Sequence, residues 1–132
     1  MVDALSIALS GLMAQNQQLS ATASNIANAS TEGALPTPQA PATTVYKPLT
    51  VNYTTQSDGD VIANITADQN GYSPAYDPTN AYANAQGLVA APNVDLSQEI
   101  VNLMVAKTVF KANVDVIKTQ DKMLGSLIDT IK

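Results

Sequence analysis

Asp58 and Asp60 flank Gly59, and two carboxylates at that spacing can share acid–base work or hold calcium. Their setting supplies a plainer reason. Asp-Gly between two alternating apolar runs is a hairpin-turn signal, and the EF-hand spacing is not matched. A small hydrolase built on the pair would lose its activity in Asp58→Asn. No Ser-x-x-Lys string occurs, and Lys111, Lys118 and Lys122 fall with Asp115 and Asp129 on one solvated helix face. The chain has no His and no Cys. That excludes thiolate and imidazole metal sites, His-based triads, cysteine nucleophiles and disulfides. Asn28-Ala29-Ser30, Asn52-Tyr53-Thr54 and Asn64-Ile65-Thr66 match the glycosylation tripeptide, which has meaning only in a secretory pathway. No catalytic residue, metal or cofactor is expected.

The elements must therefore carry the function. The 132 residues suffice for one domain, and 6 Lys, no Arg and 11 Asp plus Glu give a net charge of −5. A nucleic-acid binder needs the opposite sign. A hydrophobic fraction of 45% argues against wholesale disorder, and one Phe with no Trp leaves little to wall a small-molecule pocket. No apolar run of 18 residues occurs, and Met1-Val2-Asp3 lacks the basic start of a secretion signal. Any export would have to bypass a conventional cleavable signal.

Proline divides the chain. All seven prolines lie between Pro36 and Pro92, and all five tyrosines between Tyr46 and Tyr82. Because proline breaks helix interiors, the order reads helix (1–33), linker and small β-containing segment (34–92), helix (93–132). The fold class is mainly α with a small β element, the two long terminal helices pairing as a coiled coil.

The first helix is predicted over about 3–28. Leu5, Leu12, Leu19 and Ile26 recur every seven residues and form a helical seam. No charged residue occurs from Ala4 to Thr31, whereas an ordinary solvated helix carries Lys and Glu on its outer face. Either this is a short two-helix seam with a polar exterior, or its small side chains admit other backbones. The last helix has Asp95 as N-cap, with Gln98 at the third helical position and Glu99 at the positive end of the dipole. Leu96, Leu103, Phe110, Ile117, Leu124 and Ile131 form its seam at spacing seven. Val105, Val109, Ala112, Val116 and Met123 make a second apolar stripe well round the helix. One thin partner helix covers only one stripe.

Length bears on the architecture. About 36 helical residues span roughly 54 Å, whereas a compact globule of this size has a diameter of roughly 36 Å. Either the helix breaks near Gly125 or the molecule is elongated. In the middle zone, Leu49, Val51 and Tyr53 alternate with polar residues, Asp58-Gly59 turns the chain, and Val61, Ala63 and Ile65 continue. Residues 33–43 read as an extended linker and 72–92 as an ordered run of turns.

Ser10-Gly11-Leu12 followed by Ala23-Ser24-Asn25-Ile26-Ala27-Asn28, with Gly33 beyond, resembles the N-terminal signature of the bacterial flagellar axial proteins. Glu99, Val101, Ala106, Phe110, Ala112-Asn113-Val114 and Met123-Leu124 are similar to their C-terminal signature. Ser73-Pro74, Tyr76-Asp77-Pro78, Asn80, Ala83, Gly87 and Pro92-Asn93-Val94 resemble the stretch that marks the FlgC, proximal-rod type. Ala34 stands where the family often has an aromatic, and Thr108 where it usually has Arg. A salt bridge made by that Arg in relatives is not transferable here.

The resemblance implies a non-enzymatic structural subunit of the basal-body rod, in the cell envelope, exported unprocessed through the flagellar export apparatus. Its partners would be further copies, other rod proteins and the membrane-ring junction protein, with no nucleic acid and no small-molecule substrate. It implies paired terminal helices packed into a torque-transmitting tube, with Val105 to Met123 meeting a neighbour. A self-contained adaptor, closing a dimeric four-helix bundle with its second stripe, is the other reading.

Overall fold

The computed structural model describes residues 2–38, 40 and 44–131. Helix α1 runs over Val2–Ala27 and helix α2 over Leu96–Ile131. Between them lie two antiparallel hairpins, β1 (Leu49–Thr55) with β2 (Val61–Ala67), and β3 (Tyr72–Tyr76) with β4 (Leu88–Pro92). The Pro41 part of the expected linker falls outside the described residues.

Helix α1 is rich in Ala, Leu and Gln and free of Pro, which suits a helix interior. It ends where the Asn28 side-chain amide donates to the Ser24 carbonyl at 2.9 Å and Thr31 N–H to Asn28 O at 2.9 Å. Helix α2 opens as the sequence predicts. The Asp95 carboxylate accepts from Ser97 N–H at 2.9 Å and Gln98 N–H at 3.2 Å. It then continues past Gly125, whose surroundings are empty to 4 Å. The elongated alternative is the one adopted.

The first hairpin lies along α1 rather than across it. Its base meets the helix at Asn25, Tyr53 donates to the Gln18 side-chain oxygen Oε1 at 3.0 Å, and Ser10 Oγ accepts from Val61 N–H at 3.0 Å. At its tip, Ser6 Oγ donates to the Asp60 carboxylate at 3.0 Å. Gly59 has φ +91°, a conformation glycine adopts without strain, and Ile7 sits so close that a Cβ there would lie 2.9 Å from Ile7 Cδ1. The 58–60 segment is therefore a turn docked on a helix.

Residues 72–92 differ from the expected run of turns. Tyr72 pairs with Pro92 and Tyr76 with Leu88, so the segment is a hairpin whose turns are confined to its connecting loop. Pro74 and Pro78 hid the strand, since proline is tolerated at sheet edges. Gly33 joins as a third backbone, exchanging hydrogen bonds with Ala90 at 2.9 and 2.8 Å. An added Cβ at Gly33 would run into the Val45 and Thr44 backbone. Val89, Ala90 and Val45 are buried there as a small second core.

The main core is built almost entirely of alanine: Ala8, Ala14, Ala21, Ala63 and Ala106. Among the described residues, no Leu, Ile, Met or Phe is fully buried.

Candidate assembly surface

The two helices pack antiparallel through a polar, small-residue seam. Gly11 faces Asn113, where a Cβ would lie 2.8 Å from the Asn113 amide nitrogen. Asn25 faces Glu99, donating to its carboxylate at 2.7 Å. In both pairs the residue numbers total 124, which fixes the register along the whole contact. Between these points Gln18 donates to Thr22 at 3.1 Å, and Thr22 is completely buried. On α1 this line is Ala4, Ala8, Gly11, Gln15, Gln18, Thr22, Asn25, with alternating steps of four and three.

Asn25 is the hub. Its amide nitrogen also donates to Leu49 O at 2.9 Å, and its oxygen accepts from Leu49 N–H at 2.7 Å and Tyr46 OH at 2.9 Å. Being 2% exposed and fully satisfied, it ties α1, α2, the start of β1 and the incoming linker at one point. Asn28 caps α1, Gly33 carries the bridge to β4, and Asn113 sits against Gly11. The four motif residues thus hold positions where two backbones or elements meet. Glu32 extends the pattern by accepting from Asn80 at 2.6 Å.

The heptad residues flank this seam. Leu12, Leu19, Phe110 and Ile117 are half-buried, and Leu19 lines a groove with Leu103 and Phe110. Leu5, Ile26, Leu96, Leu103 and Leu124 remain 38–48% exposed. The second stripe is open to solvent: Val105 is 56% exposed, Val109 37%, Val116 42% and Met123 52%, with Ala112 also exposed. Its upper end borders a cleft shared with Gln15, Gln18 and Tyr53. Partial burial there holds the Tyr53 phenol above its ordinary pKa range.

Shape agrees with composition. The accessible surface is 8635 Å², whereas a compact monomer of 13.8 kDa exposes about 6,600 Å². The surplus of about 2,000 Å² is of the size that specific protein interfaces bury. Among the described residues no group of His, Cys, Asp or Glu could hold a metal ion, and no helix is long and apolar enough to cross a membrane. What the arrangement offers is uncovered apolar surface on a rigid frame.

Known proteins of the same kind can be compared at this point. Residues 5–34 match the family model described as "Flagella basal body rod protein", and residues 85–130 match "Flagellar basal body rod FlgEFG protein C-terminal". The chain is 37% identical over 121 residues to the flagellar basal-body rod protein FlgC of Escherichia coli O6:H1, covering 89% of this chain and 88% of that protein. It is 34% identical to FlgC of Salmonella typhimurium over 89% and 88% of the two chains. With FlgC of Agrobacterium fabrum it shares 30% over 96% and 91%. The chain belongs to the FlgC family of flagellar basal-body rod proteins. It is a structural subunit of the flagellar basal body. The first matched segment takes in α1 from Leu5 onward and runs on to residue 34, and the second takes in β4 and α2 up to residue 130, so both helices of the polar seam are included. The dimeric adaptor reading is not favoured by these relationships.

Proposed function

We propose that this FlgC-type subunit self-assembles with other axial proteins into the tubular drive shaft of the flagellum and serves it without catalysis. The observation that carries the reading is the inverted burial: alanines inside, and Leu, Ile and Met half-exposed or exposed. In a self-contained domain the large apolar side chains are the ones buried. Here they are left for neighbours, and covering each is worth roughly 1.5–3 kcal/mol.

Val105, Val109, Ala112, Val116 and Met123 form the face that meets a neighbouring subunit. The seam of Leu5, Leu12, Leu19 and Ile26 with Leu96, Leu103, Phe110, Ile117 and Leu124 is completed when further helices close over its exposed members. Partners are other rod proteins, the junction protein of the membrane ring and, before assembly, the flagellar export apparatus, reached without a cleavable signal. The rod then crosses the periplasm from that ring. Residues 1–33 and 93–132 form the coiled-coil rod unit, and 34–92 a β-containing outgrowth from it.

A clean deletion, with basal bodies imaged by electron microscopy, tests the assignment. Bodies that stop at the membrane ring are expected. Intact, motile flagella would overturn it.

A further inference from the structure

Asn25 holds β1 in the way a neighbouring strand would. Its side-chain amide accepts from Leu49 N–H at 2.7 Å and donates to Leu49 O at 2.9 Å, the two-bond exchange of an antiparallel pair. The hairpin's register leaves Leu49 free for this. Pro48 O accepts from Asp68 N–H at 2.9 Å, and Gln56 N–H donates to Asp60 O at 2.8 Å, so the even-numbered residues of β1 exchange hydrogen bonds with β2. The odd-numbered ones, Leu49, Val51, Tyr53 and Thr55, stand opposite Ala67, Ile65, Ala63 and Val61 in the pairs that make none. Their N–H and C=O groups point outward. Asn25 satisfies the first of them. Among the described residues, nothing bonds the outward main chain of Val51, Tyr53 or Thr55.

That edge borders a cleft. Gln15 and Gln18 of α1 form the floor, Tyr53 stands on the β1 side, and Val101, Asn102 and Val105 of α2 line the far side. No Cα of β1 lies within 8 Å of one in α2, so the two walls stand apart. Asn25 closes one end by bonding both Leu49 and Glu99. From there β1 runs about 20 Å to Thr55, and α1 covers about the same distance from Asn25 to Gly11. No charged residue lines the cleft. Exposed strand edges are ordinarily blunted by a charge or a proline. The second hairpin has Pro74 and Pro92 in its strands, whereas Leu49–Thr55 has neither device.

We propose that this cleft takes an extended, uncharged peptide segment of a partner protein, which adds to β1 as a third strand where the Asn25 amide leaves off. The match is main chain to main chain: Val51, Tyr53 and Thr55 offer donors and acceptors at the two-residue repeat of a strand. Side chains turned toward the floor and α2 are small, apolar or hydroxyl-bearing, because a charge there would lose water against Val101 and Val105 with no counter-ion. Helix α2 bounds the far side, so the opening suits one strand rather than the edge of a second sheet. The inference concerns the folded monomer and stands apart from the rod reading.

The test is a titration of the 15N-labelled chain with the synthetic peptide Val-Ile-Ala-Asn-Ile-Thr-Ala, a copy of the β2 sequence that already pairs with β1 on its other side. The amide signals of Val51, Tyr53 and Thr55 should shift and gain protection from exchange, together with those of 101–106. Shifts at Ala63, Ile65 and Ala67 instead, or none up to the peptide's solubility limit, would overturn the proposal. N-methylating the peptide at alternate residues keeps every side chain, and each donor lost should weaken binding about five- to tenfold. Equal binding in both methylation registers would overturn main-chain pairing. Val51→Pro deletes one outward N–H without breaking a bond to β2, so it should keep native circular dichroism and bind about five- to tenfold more weakly. Val101→Asp leaves the hairpin untouched and puts a charge into the cleft from an exposed helix position. It should bind about tenfold more weakly; native affinity in this variant would overturn the site. Peptide binding by a chain absent from rods would sink the rod reading alone, and rod entry without peptide binding would sink this inference alone.

Discussion

Replacing Asn25 with alanine removes both halves of a buried amide that four groups rely on. The Leu49 N–H, the Leu49 carbonyl, the Tyr46 hydroxyl and one Glu99 oxygen each lose a partner at 2.7–2.9 Å. Neutral hydrogen bonds contribute about 1 kcal/mol each and the bond to a carboxylate about 1.5–3, giving about 4–6 before relaxation. Water reaching the half-buried Tyr46 and Leu49 reduces this to about 3–5 kcal/mol. For a 132-residue chain that lowers the melting temperature by about 10–18 °C. Asn25→Asp separates the two halves of the amide, keeping the acceptor and replacing the donor with a charge beside Glu99 and the Leu49 carbonyl. Both neighbours favour the protonated acid, so its folded pKa rises. The variant is therefore least impaired below about pH 4 and loses stability as pH climbs through the raised value. Adding Glu99→Gln recovers part of the loss at pH 7. Urea unfolding at pH 4 and pH 7 reads all three. An Asn25→Ala cost under about 1 kcal/mol, or an Asn25→Asp cost indifferent to pH, would refute the hub.

Other perturbations follow from the same contacts. Gly11→Ala sets a helix-propensity gain of about 1 kcal/mol against a tight approach to a movable amide, so its melting shifts little; Gly11→Leu pries the helices apart, and Asn113→Ala partly relieves it. The double variant Val105→Glu, Val109→Glu leaves the monomer's circular dichroism unchanged, because both side chains are exposed, but blocks entry into rods in a co-purification assay. The Thr79 hydroxyl and N–H, 2.7 and 3.1 Å from Asp77, hold its carboxyl below the usual range. The 77–87 loop is thus intact above about pH 4 and loosens as pH falls through the lowered value, a change that NMR should detect and Asp77→Asn should abolish. Tyr53, raised by burial, contributes stability that is lost as pH rises above about 10; Tyr53→Phe flattens that limb of the melting curve.

The chain's organisation was legible wherever one residue type carried a single meaning. Proline separated the helical ends from the middle, the heptad seam placed α1 within a residue of its ends, Asp95 marked the start of α2, and Asp58-Gly59 marked the first hairpin. The second hairpin was masked by Pro74 and Pro78. The packing line of α1 was harder to see for a physical reason. Leucine at every seventh position is the conspicuous pattern, yet the closest approach between two helices belongs to the smallest side chains. The line Ala4, Ala8, Gly11, Gln15, Gln18, Thr22, Asn25 has the four–three rhythm of a seam, and the uncharged stretch from Ala4 to Thr31 was its visible trace. The convergence of Tyr46, Leu49 and Glu99 on Asn25 spans 74 residues of chain between Asn25 and Glu99, and no local spacing encodes it.

Hydrogen exchange on the dilute monomer and on purified rods tests the account most directly. Amides of α2 from Val105 to Ile131 should exchange orders of magnitude more slowly in the rod, with the largest gain beyond Lys122. Equal protection in both states would mean that the monomer needs no neighbours to hold that helix, and would contradict assembly through its exposed apolar faces.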